Sequence, residues 1–237
     1  MTPNELKEYS ELSVKIARCK PDDSELNPHQ LEIYQSLLLK RARILKNASN
    51  KLQKLIELIP SFKEQGIFDR CLVYCSDGRD AADSSQKTIQ RVVSELNSNL
   101  VTNCRFTSLE SMAEREVILR DFSSGAVSTI VAIKCLDEGV DVPATRYAII
   151  MASTSNPREY IQRRGRILRR APGKDFSVLY DFIVVPSGDS ADSDERQILL
   201  SEYRRFREFS DLSLNKSENK EKMFMLLNKY NINPDVD

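Results

Sequence analysis

The sequence lacks the features of a zinc protein, a disulfide-rich protein and a membrane protein. It contains a single histidine, His29, and no tryptophan, and its five cysteines form no Cys-x-x-Cys pair. A zinc site is therefore not expected, and reduced, mostly buried cysteines are the simpler interpretation. Residues 1–20 lack the apolar core of a signal peptide, and no apolar run reaches membrane-spanning length. We expect a cytoplasmic protein with no membrane partner.

No charge of one sign predominates. The 237 residues include 35 Lys and Arg and 35 Asp and Glu, so the chain as a whole is not a polycation. Any affinity for nucleic acid must therefore come from locally clustered cations. The hydrophobic content of 41% is ordinary for a globular protein, and the chain is long enough to bury a sizeable core.

Short apolar runs alternate with amphipathic stretches in the middle of the chain. The amphipathic stretches predict helices at 79–97 and 109–123; for the second, Thr107 and Glu110 fit a capping box and Gly125 lies just past the end. Near-continuous apolar runs are typical of strands buried on both faces. The alternation predicts an α/β fold, a parallel sheet flanked by helices. The predicted strands are 71–75, 103–106, 128–133, 147–151 and 177–184.

Helical patterns flank this central region on both sides. From Pro28 to Ile59 apolar residues recur at helical spacing, which fits either a hairpin laid against the main domain or half of an interface. Residues 187–195 are polar and acidic and predict a break between helices. After them, two further helices are predicted at 196–212 and 219–230. The predicted organisation is a helical extension (1–65), an α/β domain (66–186), an acidic linker (187–195) and a helical tail (196–237).

A basic segment carries five arginines within the eight residues from Arg163 to Arg170. Asn156 and Pro157 upstream are typical of a helix start, so Arg166 and Arg169 are expected three residues apart on one helix face. Planar, permanently charged guanidinium groups suit phosphate oxygens. A basic helix is, however, also common as a solvated surface.

Polar residues gather after the predicted strands. Ser76 follows the first strand, Thr107 and Ser108 follow the second, and Lys134 follows the third, while the basic segment comes after the fourth. Ligands of open parallel sheets bind beyond the carboxyl ends of the strands, and the N–H groups of helix starts favour anions. The convergence favours a phosphate site over a solvated surface.

Two motifs at a characteristic spacing resemble superfamily 2 helicases. The segment Gly139-Val140-Asp141-Val142-Pro143 resembles motif V, and the segment from Gln162 to Arg169 resembles motif VI, with its Gln-x-x-Gly-Arg-x-x-Arg pattern. The segment from Cys71 to Ser76 is similar to motif IV. Gln rather than His at position 162 is closer to the DExH-like branch than to the DEAD-box branch. The segment from Glu114 to the third strand is similar to DExH-type helicases of bacterial repair and restriction systems.

The resemblance implies the second RecA-like domain of a two-domain motor, in which ATP binds between the halves. By this resemblance Arg166 and Arg169 would be arginine fingers that reach the γ-phosphate. Gln162 would sense that phosphate, and Gly139 and Asp141 would belong to the nucleotide site. The preferred substrate is DNA, by resemblance alone.

The same resemblance implies contacts with the phosphates of a nucleic-acid strand. They would come from Ser76, Thr107, Ser108 and Lys134. DEAD-box relatives place a threonine at the end of the third strand, where this chain has Ile133 followed by Lys134. Either Lys134 replaces the hydroxyl contact, or Ile133 is simply part of the core.

The motifs of a first motor half are absent from this sequence. It contains neither a Gly-x-x-x-x-Gly-Lys-Ser/Thr loop nor a DExH or DEAD box, and Gly173-Lys174 predicts a turn. The resemblance therefore implies an N-terminal RecA-like helicase domain that holds Mg²⁺ and is favoured as part of the same polypeptide, because a linker raises effective concentration. A separately encoded half, a non-catalytic nucleic-acid-binding or scaffold module, and a protein-interaction domain are the alternatives. The isolated chain is expected to be inactive.

Overall fold

The computed structural model describes residues 1–20, 27–76, 78, 87–133, 142, 144–152, 165, 167–186 and 191–233. Its helices are α1 (Pro3–Arg18), α2 (Pro28–Lys46), α3 (Asn50–Glu64), α4 (Thr88–Ser98), α5 (Met112–Ser124), α6 (Ser193–Ser210) and α7 (Lys216–Lys229). Its strands are β1 (Cys71–Tyr74), β2 (Asn103–Phe106), β3 (Thr129–Ala132), β4 (Tyr147–Ile150) and β5 (Val178–Asp181). The chain forms two compact units, Ser49–Phe182 and a second one made of Met1–Ala48 with Ile183–Asp237.

A parallel sheet with the strand order β2-β3-β1-β4-β5 forms the centre of the first unit. All four neighbouring pairs are parallel, and Leu72 in the central strand β1 pairs with Ile130 on one side and Ala148 on the other. The predicted α/β fold with a helix-flanked parallel sheet is therefore confirmed. Each of the five predicted apolar runs contains a strand.

The core of this unit is formed by the sheet together with α3 and α4. Leu55 and Ile59 of α3 are fully buried, as are Val92 and Leu96 of α4, and they share one cluster with residues of the central strands. The helical periodicity of α3 therefore reflects packing within the sheet unit. The assignment of residues 1–65 to one helical extension stays a prediction.

Helix α5 begins four residues later than the capping box proposed from the sequence. Ser111 is its N-cap, with its hydroxyl accepting from the Glu114 N–H, and the Glu114 carboxylate accepts in return from the Ser111 N–H. The prediction of Thr107 as the cap is therefore wrong. The end of α5 is as predicted, since Gly125 takes up a left-handed conformation with φ of 88°.

The second unit contains α1, α2, α6 and α7. Tyr9 of α1 and Ile198 of α6 pack against Val184. The side chain of Glu202 accepts the Val184 N–H at 3.1 Å and the guanidinium of the buried Arg205 at 2.8 Å. The predicted tail helices are present as α6 and α7. Among the described helices, none has the length and apolar character needed to cross a membrane.

Candidate nucleotide and nucleic-acid site

The carboxyl ends of the strands lie at one edge of the sheet, as the sequence analysis expected. The register aligns Phe106, Ala132 and Tyr74 as the last paired residues of β2, β3 and β1. The residues that follow, including Thr107 and Ser76, therefore leave the sheet at the same edge. Since β3 separates β1 from β2, these two departure points are about 10 Å apart.

Ser76 is buried and contacts Gly78, which is bonded to the start of α4. It is 5% exposed, and its hydroxyl oxygen accepts from the Gly78 N–H at 3.4 Å. The Thr88 N–H and hydroxyl both donate to the Gly78 carbonyl, at 3.0 and 3.1 Å. Ser76 therefore helps to fix the start of α4. Its contact with nucleic acid stays a prediction.

An internal carboxylate occupies the anion position expected at Thr107. The backbone N–H and the hydroxyl of Thr107 both donate to Oε2 of Glu110, at 2.5 and 2.7 Å. The Leu109 N–H donates to Thr107 Oγ1 at 3.1 Å, which closes the turn, and Ser108 is exposed in the same turn. A phosphate that approaches Thr107 must therefore compete with Glu110.

Arg115 of α5 supports this turn, a role that the sequence reasoning did not assign. Its Nη2 donates to the Thr107 carbonyl at 2.8 Å, and its Cζ lies 5.5 Å from the centroid of the Phe106 ring. The guanidinium thus fastens the end of β2 to the first turns of α5. The available signal was the spacing, which places Arg115 one helical turn past the loop.

The basic segment is described in part. Gly165 and Ile167 are helical, and Ile167 is 1% exposed, whereas Arg169 is exposed and lies beyond the helix. The prediction that Arg169 lies on a helix face is therefore wrong. Apart from its chain neighbours and the backbone of its own helix, no described atom lies within 4 Å of the position that a Cβ on Gly165 would take. The predicted site residues Gly139, Asp141, Gln162, Arg166 and Lys134 lie outside the described residues.

Lys174 closes the end of the basic segment. Its ammonium group donates to the carbonyl oxygen of Ile167 at 2.6 Å and to that of Arg169 at 2.9 Å. The Ser177 hydroxyl also donates to the Ile167 carbonyl, at 3.1 Å. Gly173, with φ of 70°, makes the turn that brings Lys174 back to the helix end. The predicted turn is present, but the sequence analysis gave Lys174 no role.

The described thiols near the sheet are not reactive nucleophiles. Burial raises the pKa of the Cys71 and Cys75 thiols far above its usual range. Burial also raises the pKa of Cys104 to about 11, with the carboxylates of Glu110 and Asp121 adding to the effect. All three thiols are therefore protonated at neutral pH.

The comparisons with known proteins agree on one family. The model of the helicase conserved C-terminal domain matches residues 50–171, slightly more than half of the chain. The protein "DNA 3'-5' translocase XPB2" of Sulfurisphaera tokodaii is 31% identical over 156 residues, which cover 66% of this chain and 30% of that protein. "ATP-dependent RNA helicase p62" of Drosophila melanogaster is 26% identical over 129 residues, covering 51% and 18%. The chain thus matches less than a third of the length of either relative.

Among solved structures, the C-terminal domain of the DEAD-box protein Dbp5 superimposes with a TM-score of 0.47 at 17% identity, covering 74% of this chain and 90% of that one. The match to the family model begins at the first residue of α3 and ends just beyond the basic segment. It therefore includes all the predicted site residues. We conclude that this chain belongs to the helicase conserved C-terminal domain family, which is found in superfamily 2 helicases.

Proposed function

We propose that this chain is the C-terminal half of an ATP-dependent superfamily 2 helicase or translocase. The observation that carries the proposal is the exposed Arg169, which lies two residues after the buried Ile167 in a chain of the helicase family. A guanidinium on a fixed backbone suits an anion that another domain brings. The described residues leave open space beside Gly165 for such an approach.

In this proposal ATP binds between the two halves. Arg166 and Arg169 approach the γ-phosphate, Gln162 senses it, and Gly139 and Asp141 line the nucleotide site. Negative charge spreads over the phosphoryl oxygens in the transition state, and preorganised cations stabilise it. Mg²⁺ is held by the N-terminal RecA-like domain, because this sequence has no phosphate-binding loop.

The carboxyl edge of the sheet contacts the nucleic-acid strand in this proposal. Thr107, Ser108, Ser76 and Lys134 follow three of its strands, and hydroxyl and N–H groups there are suited to backbone phosphates. The exposed Ser108 is the most accessible of the described three. The printed names of the relatives include both a DNA translocase and an RNA helicase. DNA is our preferred substrate by the motif resemblance.

The proposal is tested by ATP turnover in a polypeptide that joins this chain to a first RecA-like half. We expect turnover that rises at least about ten-fold with single-stranded DNA, and less with RNA of the same sequence. Turnover absent with every nucleic acid, together with salt-dependent DNA binding by the chain, would instead favour a non-catalytic binding module. Absence of both would refute the nucleic-acid role as well.

A further inference from the structure

The ammonium group of Lys174 is bound to the backbone of the basic segment at two points. It donates to the carbonyl oxygens of Ile167 and Arg169, at 2.6 and 2.9 Å. Carbonyl groups in the last turn of a helix have no partner within the helix, and a cation there also meets the negative end of the helix dipole. Ile167 is the last helical residue of the basic segment that the structure describes, and Arg169 lies two residues beyond it, so Lys174 binds both the helix end and the segment that follows.

The two residues that Lys174 binds differ in burial, because Ile167 is buried and Arg169 is exposed. Ile167 is already fixed, because its side chain is 1% exposed and its carbonyl also accepts from the Ser177 hydroxyl at 3.1 Å. Arg169 is exposed, and its carbonyl lies beyond the helix end. Lys174 is bonded to both carbonyls. It therefore ties the backbone of Arg169 to the fixed backbone of Ile167.

We propose that Lys174 is a positioning residue for Arg169, which holds the backbone of that arginine so that its guanidinium meets the nucleotide in one orientation. The inference rests on the proposed function, in which Arg169 is an arginine finger. A displacement of about 1 Å at such a group costs roughly 100-fold in rate. In this role Lys174 acts through the backbone of Arg169 and is not itself a catalytic residue.

A double-mutant cycle in the two-domain polypeptide separates this role from a general contribution to folding. Lys174→Met keeps the aliphatic stem and removes the donors, and we expect it to lower the kcat of ATP hydrolysis about 10- to 100-fold with KM changed less than three-fold. In the Arg169→Ala background, Lys174→Met should lower kcat by less than a further three-fold. Lys174→Arg, which keeps donors and charge, should restore most of the rate.

Ser177→Ala is the matched control, because it removes a hydrogen bond to Ile167 and leaves the Lys174 bond to Arg169 in place. Its kcat should stay within about three-fold of the parent. Hydrogen exchange of the segment around Arg169, measured on this chain alone, should be faster in Lys174→Met than in Ser177→Ala, and equal rates would overturn the inference.

Two kinetic outcomes overturn the positioning role. One is a parental kcat in Lys174→Met; the other is an equal loss from Lys174→Met with and without Arg169, since independent effects multiply. A parental kcat in Arg169→Ala has a different meaning. It refutes the arginine-finger assignment itself, before any variant of Lys174 is considered.

Discussion

Gly165 is a helical glycine around which the described part of the chain leaves open space. Its φ lies outside the left-handed region, and an alanine Cβ would meet no described atom within 4 Å other than its chain neighbours and the backbone of its own helix. Neither its backbone conformation nor its packing against the described residues therefore requires glycine here. A helical glycine is less favourable than alanine by about 0.5–1 kcal/mol. Gly165→Ala should stabilise the folded chain by about that amount.

The corresponding change in melting temperature follows from the size of the unit. Ser49–Phe182 contains about 130 residues, and unfolding entropies near 2 cal/mol/K per residue then convert this free energy into a rise of about 2–4 °C. Thermal unfolding of this chain, followed by circular dichroism, measures it. Gly173→Ala is the control, because φ of 70° at that position makes alanine strained and should lower the melting temperature.

The proposed function predicts the opposite sign for activity. If the open space is where a nucleotide and the first half approach, a methyl group at position 165 interferes with closure. We expect Gly165→Ala to lower ATP turnover in the two-domain polypeptide about 10- to 100-fold, although the chain is more stable. Parental turnover would refute the reasoning about close approach, and a lower melting temperature would refute the reasoning about the helix.

Three further predictions concern other parts of the sheet unit and the cysteines. Glu110→Gln removes the charge that competes with a phosphate for Thr107, so fluorescence anisotropy at low salt should show several-fold tighter binding of single-stranded DNA. Glu116→Gln is the control for net charge. An equal change in affinity for both variants would contradict the competition. Leu55→Ala in α3 should cost about 2–5 kcal/mol in urea unfolding, whereas Leu109→Ala, at an 83% exposed position, should cost under about 0.5; equal losses would contradict the packing of α3. A thiol reagent at pH 8 should label the exposed Cys19 much faster than the buried Cys71 and Cys75, as peptide mass mapping would reveal; similar rates would contradict their burial.

The strands could be predicted because burial on both faces leaves a direct mark on the sequence. The run at Cys71–Tyr74 is entirely buried, as its apolar character predicted. Helix starts were harder, because Thr107-x-x-Glu110 and Ser111-x-x-Glu114 are both capping-box patterns. Both form their side-chain hydrogen bonds, but only the second precedes a helix. A local pattern alone does not say which of two adjacent signals continues into helical backbone.

The boundary between helices α2 and α3 and the long-range contact of Lys174 could not be predicted from the sequence. The apolar periodicity from Pro28 to Ile59 continues across the point where α2 ends and α3 begins, so it concealed the division between the two units. The bond from Lys174 to Arg169 depends on the left-handed turn at Gly173, which returns the chain to the helix end. The sequence predicted that turn, but not which side chain it would place there or what that side chain would bind.

The central claim is that guanidinium groups of the basic segment act on a nucleotide brought by a first RecA-like half. Single-turnover ATP hydrolysis by the two-domain polypeptide, with nucleic acid saturating, tests it most directly in Arg169→Ala, Arg166→Ala and the neighbouring control Arg170→Ala. The account predicts a loss of about 10³- to 10⁵-fold for each of the first two and less than about ten-fold for the control. Rates within a few-fold of the parent in Arg169→Ala and Arg166→Ala would contradict it.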